Sequence, residues 1–170
     1  MPKKITHKKK KLLIGRNEWC QLPSLHIPAI KAKIDTGAKT SALHAFNIRL
    51  KRKNGVPFVE FDLHPLQQDN KTIVSCKAPL LDERSITSSS GHKEHRYVIL
   101  TTIAMGNQAW AMEVTLSNRD LLRYRLLLGR EALNSRVLID PSLNCHLKKM
   151  RYQKARNLYR KQSLFSKKSG

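Results

Sequence analysis

Apolar residues in this chain alternate with polar ones, or cluster, in runs of about four to eight positions bounded by turn residues, which is the signature of short strands and not of long amphipathic helices. The runs are Leu12–Ile14 with Trp19–Leu22, then Ala29–Ile34, Ala42–Leu50, Pro57–Leu63, Thr72–Ala78, Arg96–Met105, Gln108–Leu116 and Arg136–Ile139. Asn54-Gly55 and Gly106-Asn107 supply residues that tolerate positive φ and predict hairpin turns. Asn118-Arg119-Asp120 reads as a loop, and Leu121–Leu128 carries the chain back toward Gly129. Within this stretch only Arg130–Asn134 asks for helix. Many short strands with close turns predict a mainly β fold: a small closed or half-closed β-barrel with one short helix near the C-terminal end of the domain.

Charge divides the chain further. The formal net charge is +21, but segments 1–11 and 148–170 hold fifteen of the 33 basic residues and none of the twelve acidic ones, so residues 12–147 carry only +6. The expected organisation is a basic N-terminal tail (1–11), one β-barrel domain (12–147) and a basic C-terminal tail (148–170). In the last segment Leu147, Met150, Tyr152, Ala155, Leu158, Tyr159 and Leu164 are spaced as in a basic amphipathic helix. Such tails solubilise a protein, and at low salt they attract RNA or another polyanion. Aromatic residues are few and the middle of the chain has no RNA-binding signature, so nucleic acid is expected as an accessory, nonspecific partner. Cys20, Cys76 and Cys145 are odd in number and widely spaced, which does not make a disulfide framework. Leu12–Ile14 is too short for a signal-peptide core and no run reaches membrane-spanning length, so a cytoplasmic location without a membrane span is the expectation.

The candidate chemistry lies behind the run Ile30–Ile34, in Asp35-Thr36-Gly37-Ala38. An acid that can hold or release a proton, a hydroxyl that can lock a neighbouring loop, and a glycine that lets backbone approach a substrate or a second carboxylate together suit acid–base chemistry. Taken alone, the tripeptide also fits a strand-to-turn cap with no catalytic role. Asp140 follows the apolar run Val137–Ile139 but precedes Pro141-Ser142, with neither the hydroxyl residue next to it nor the glycine such a loop needs, and reads as a turn acid. The histidines and cysteines are scattered without a His-Glu-x-x-His motif; only His92 with His95, and Cys145 with His146, lie close together. No phosphate-cradling glycine loop is present.

Asp35-Thr36-Gly37 together with Leu126-Leu127-Leu128-Gly129-Arg130 resembles the retroviral-type aspartic peptidases. The longer wording from Ile34 to Ala45, with Arg96-Tyr97-Val98, Glu113–Leu116 and Leu127–Arg130, is similar still more closely to the bacterial retropepsin-like family, whose members long carried the label ATP-dependent zinc protease. The resemblance covers roughly Leu12 to Leu147. It implies an acid-protease barrel in which Asp35, Thr36 and Gly37 form the catalytic loop, with Leu128, Gly129 and Arg130 as structural support. No cofactor is implied. Arg130 is expected in an ion pair with Asp120 or Glu131. Ile86–His92, small and polar, suits a mobile flap, so the expected substrate contacts are Ala38, Ser89, Ser90 and Gly91. One carboxylate at its usual pKa of about 4 is a poor base at neutral pH, whereas two in contact share a proton and divide the roles of base and acid. With one such loop in the chain, the second carboxylate is expected from a second copy, which makes the active form a homodimer acting on a peptide or protein. The rival readings are a non-catalytic dimeric peptide-binding module on the same fold and, with less support, a zinc-dependent peptidase.

Overall fold

A computed structural model describes residues 10–87, 90–118 and 123–166 of the chain. Its strands are β1 (Leu12–Ile14), β2 (Asn17–Leu22), β3 (Ile27–Ile34), β4 (Ser41–His44), β5 (Phe46–Lys53), β6 (Val56–Leu63), β7 (Val74–Thr87), β8 (Lys93–Met105), β9 (Gln108–Ser117), β10 (Leu126–Leu128) and β11 (Val137–Ile139). Two helices, α1 (Arg130–Leu133) and α2 (Tyr152–Ser166), follow β10 and β11. Strands β2, β3, β10, β4, β9 and β8 hydrogen-bond in that order, and β8 returns to β2 through the single registered pair Gln21 and Ala104, closing a six-stranded barrel. β7, β6 and β5 continue outward from β8 as an antiparallel sheet. Beside the barrel, β1 and β11 form a parallel pair.

Alternation decides which faces are inside. In β6, Val59, Phe61 and Leu63 are buried while Glu60 and Asp62 point outward. Ile30, Leu43, Ile99, Ile103, Val114 and Leu126 fill the barrel. Each such side chain contributes about 1.5–3 kcal/mol when fully buried. The hairpins form where expected: Lys53 pairs with Val56 around Asn54 (φ 51°) and Gly55 (φ 79°), and Met105 pairs with Gln108 around Gly106 (φ 58°).

Two strand expectations are corrected. Ala42–Leu50 is not one strand, because Ala45 gives its N–H to Ser117 and Asn47 takes a left-handed φ of 52°, so the chain leaves the barrel after β4 and enters the outer sheet as β5. The run expected at Thr72–Ala78 begins at Val74 and continues to Thr87, since β7 first pairs with β6 and then, past a register shift between Leu80 and Asp82, with β8.

Helix α2 lies within the segment read as a basic tail, and it is docked: Ala155 and Tyr159 belong to the core, and the Tyr159 hydroxyl donates to the Ala29 carbonyl of β3. Glu18, fully buried in β2, makes a second tie between the ends of the chain. Its carboxylate accepts the backbone N–H groups of Gly15 (2.8 Å), His146 (2.9 Å) and Leu147 (3.2 Å). Among the described residues no helix is long and apolar enough to cross a membrane.

Candidate active site

The end of β3 and the end of β10 run side by side in parallel register, Ile34 against Leu128, and the Asp35 N–H continues the ladder to the Leu128 carbonyl at 2.9 Å. The chain then turns sharply. Ala38 N–H reaches back to the Asp35 carbonyl (3.2 Å), and Gly37 N–H donates to Asp35 Oδ1 (3.1 Å). Asp35 is half-buried at the root of this turn, while Thr36 and Gly37 are exposed at its tip. Among the described residues Asp35 Oδ2 has no hydrogen-bond partner.

The Leu128-Gly129-Arg130 segment holds the turn from below. Arg130 Nη1 donates to the carbonyls of Thr36 (2.8 Å) and Gly37 (3.1 Å), so the guanidinium is aimed at backbone. The expected ion pair is therefore corrected: Glu131 is engaged by Lys39 (3.7 Å) and Thr40 (3.4 Å) and not by Arg130, and Asp120 lies outside the described residues. The first amides of α1 grip the far side of the loop, Arg130 N–H to Ala38 (2.9 Å) and Glu131 N–H to Lys39 (3.1 Å). Gly129 is required for this approach. A Cβ there would stand 2.7 Å from the Thr40 carbonyl carbon and 2.8 Å from the Lys39 oxygen, closer than atoms in contact can come. Gly129 N–H donates to the buried Ser41 hydroxyl at 3.1 Å, which fixes the crossing point.

A cleft of about 930 Å³ opens beside the turn. Ala38, Lys39 and Thr40 line it from the turn, and Arg84 to Thr87 line it from the end of β7. Ile86 and Thr87 are paired with Glu94 and Lys93 of β8, so the segment expected as a loose flap is a hairpin whose ends are strand. Ser90 and Gly91 (φ 80°) stand at its exposed tip, outside the lining of the cleft, and Ser89 lies outside the described residues. The floor is charged. Arg84 bridges Glu113 (2.7 Å) and Asp82 (2.9 Å), and the Arg84 hydrogen bond holds the Asp82 carboxyl below the usual carboxylate range. Arg96, buried, donates to Glu94 at 2.7 Å and leaves its Nε without a partner among the described residues. Sequence reasoning did not assign Arg84 or Arg96 to the site; alternation along β7 and β8 was the available signal, but it needed the strand limits that only the pairing supplies.

The remaining polar candidates lie elsewhere. Asp140 Oδ1 takes the N–H (2.9 Å) and hydroxyl (2.6 Å) of Ser142, in the turn after β11. His95 pairs with Glu83 at 2.9 Å, and the Cys145 thiol contacts Asn144. No three His, Cys, Asp or Glu side chains gather as metal ligands among the described residues.

The sequence pattern of the RimB-like family, described as retropepsin-like aspartic endopeptidase RimB, matches residues 13–150. The chain belongs to that family. Among proteins similar to this RimB-like chain, a probable alpha-L-glutamate ligase of Shewanella pealeana is 51% identical over 132 residues, covering 78% of this chain and 29% of that protein. Proteins with the same description from Shewanella halifaxensis (47% identical, 94% of this chain, 34% of that protein) and Desulfotalea psychrophila (50%, 81% and 30%) match similarly. This RimB-like chain thus spans about a third of the length of the curated relatives it matches. A crystal structure of a protein of unknown function (DUF785) from Legionella pneumophila superimposes with a TM-score of 0.69 at 29% identity, covering 82% of this chain and all of that one.

Proposed function

We propose that the chain is an aspartic endopeptidase whose catalytic pair, Asp35 and its counterpart from a second copy, forms across a homodimer. The observation that carries this reading is the Asp35 turn: a loop clamped by Gly129 and Arg130, with Thr36 and Gly37 outermost, runs on through Ala38 into the lining of a cleft. An exposed tip of this kind suits a two-fold contact in which the same patch meets itself. Thr36 would then hydrogen-bond across the axis, and Gly37 would let backbone lie close to substrate. Asp140 is a poor alternative second acid, since its Oδ1 is already taken by Ser142.

In the pair, one carboxylate is ionised and the other protonated. The ionised member takes a proton from a water held between them as the water oxygen attacks the scissile carbonyl carbon. The protonated member donates to the carbonyl oxygen as the C=O π bond opens, and the tetrahedral intermediate then collapses with breakage of the C–N bond, the leaving amine nitrogen taking a proton from the carboxyl group that accepted it from water. The pH profile belongs to the pair and not to either Asp35 singly.

Lys39, Arg84 and Arg96 around the cleft, together with the glutamate ligase description of the longer relatives, favour peptide or protein substrates rich in glutamate. Free Cys20, Cys76 and Cys145 fit a reducing compartment, and the cytoplasm is the proposed location.

The test is cleavage of a mixed peptide library at pH 3 to 8 by the full chain and by Asp35→Asn, each with and without chelator, with oligomeric state measured by sedimentation. The expected result is chelator-insensitive cleavage that vanishes in Asp35→Asn while the dimer remains. Equal cleavage by the variant refutes the mechanism. Peptide binding without cleavage at any pH would make the protein a dimeric peptide-binding module.

A further inference from the structure

Away from the Asp35 turn, two clefts flank helix α2, and neither shares a lining residue with the candidate active site. The first, about 680 Å³, has Trp19 and Tyr152 in its wall, with Lys31 and Lys149 beside them. The second, about 930 Å³, is bordered by Lys71, Arg156 and Arg160. Neither lining contains an acidic side chain. Tyr152 and Arg156, one helical turn apart, face the two clefts and share Asp69, whose carboxylate lies between them. That carboxylate is nearly buried and saturated: it accepts from the Lys71 and Thr72 amides (2.8 and 3.1 Å) and the Thr72 hydroxyl (2.8 Å), with Arg156 at 3.6 Å. Its acceptor sites are filled within the protein, and the Arg156 guanidinium beside it offsets its charge toward an anion above.

We propose that α2 and the barrel wall beneath it form a track for a single-stranded polynucleotide. The chemistry has two parts. Partly exposed aromatic rings between cations offer platforms on which unpaired bases stack, and a line of lysines and arginines on both sides follows the phosphates. The surface is ordered, because α2 is pinned by Tyr159 to Ala29 and by Gln162 to His26, so little entropy is lost in presenting it. An acidic peptide would use the cations but has no need of the rings, and the apolar side of α2, with Ala155, Leu158 and Tyr159, is packed on the core and not presented to a lipid surface. The track is separate from the proposed peptidase site and does not depend on it.

The test uses the full chain and fluorescein-labelled 15-nucleotide oligo(U) RNA and oligo(dT) DNA, with a duplex of the same length as comparison. Binding is expected with a slope of log K on log salt of roughly −3, as for about four neutralised phosphates. Because Trp110 is buried and bonded to Ala132, quenching of tryptophan emission reports Trp19, and the quench should disappear in Trp19→Phe. Lys149→Glu with Arg160→Glu should weaken binding tenfold or more. The same charge change at Arg52 and Lys53, on the β5–β6 hairpin, should weaken it less than threefold. A preference between RNA and DNA separates the two sources of the strand. Equal loss in both double variants, binding without tryptophan quenching, tighter binding of duplex, or equal competition by polyglutamate or anionic vesicles would each overturn the proposal.

Discussion

Gly129→Ala tests whether the clamp beneath the Asp35 turn is as tight as the geometry makes it. The new methyl carbon would sit 2.7, 2.8 and 2.9 Å from the Thr40 carbonyl carbon, the Lys39 oxygen and the Thr40 oxygen, all backbone atoms with no side-chain freedom to yield. Restoring ordinary carbon–oxygen contact needs a shift of roughly half an ångström between the two segments. That shift lengthens the hydrogen bonds from Arg130 and Glu131 to Ala38 and Lys39, now 2.9 and 3.1 Å. Overpacking of this kind costs about 1–3 kcal/mol. At about 2–4 °C per kcal/mol for a chain of this size, Tm should fall by roughly 2–12 °C. On the proposed endopeptidase reading, activity should fall further than stability, because displacing a catalytic group by about 1 Å can cost a hundredfold in rate. Thermal unfolding, amide exchange of residues 35–40 and kcat on a cleaved peptide measure the three effects. A Tm within about 1 °C of the parent, with unchanged exchange, would show that the loop is not held by this approach.

Other consequences concern the frame and its titration. Glu18→Ala leaves one buried and two part-buried backbone amides without their acceptor and should cost about 3 kcal/mol, read as a lower urea midpoint. Burial works to raise the Asp69 carboxyl, but hydrogen bonds from Lys71 and Thr72 outweigh it, and the group lies below its ordinary value. A carboxylate depressed in the folded state contributes stability at neutral pH that is lost as pH falls below about 4, so Asp69→Asn should flatten that acid limb in denaturation curves. Burial pushes the Cys76 thiol up to about 12 and raises Cys20 well beyond its ordinary value. Neither should react with a thiol reagent at pH 8 until the protein unfolds, when three thiols should appear.

The barrel was legible because its signal is local. Period-two alternation and the Asn54-Gly55 and Gly106-Asn107 turns place most strands within a residue or two, and the Asp35 turn announces itself by its residue types. What failed was long-range. The break at Ala45 depends on Ser117, and the extension of β7 to Thr87 depends on pairing with β8, so residues 79–87 with their mixed polar sequence gave no strand period of their own. The charge of Arg130 predicts an ion pair, yet its partners among the described residues are two carbonyls brought under it by the turn. Glu18 shows no pattern in sequence, since its three donors come from Gly15 and from residues near 146 that meet it only in the folded chain.

The barrel's closure rests on one registered pair, Gln21 with Ala104, between strands more than eighty residues apart. Joining them closes a loop whose entropy must be met before the contact gives anything back, whereas β7, β8 and β9 zip through neighbouring hairpins. Closure therefore belongs with the late, long-range steps of folding, as does the seating of β10 between β3 and β4. Run in reverse, it is the place where the native barrel first comes apart, so the edges of β2 and β8 are the strand edges a neighbouring chain would meet if the protein is held at the margin of its stability.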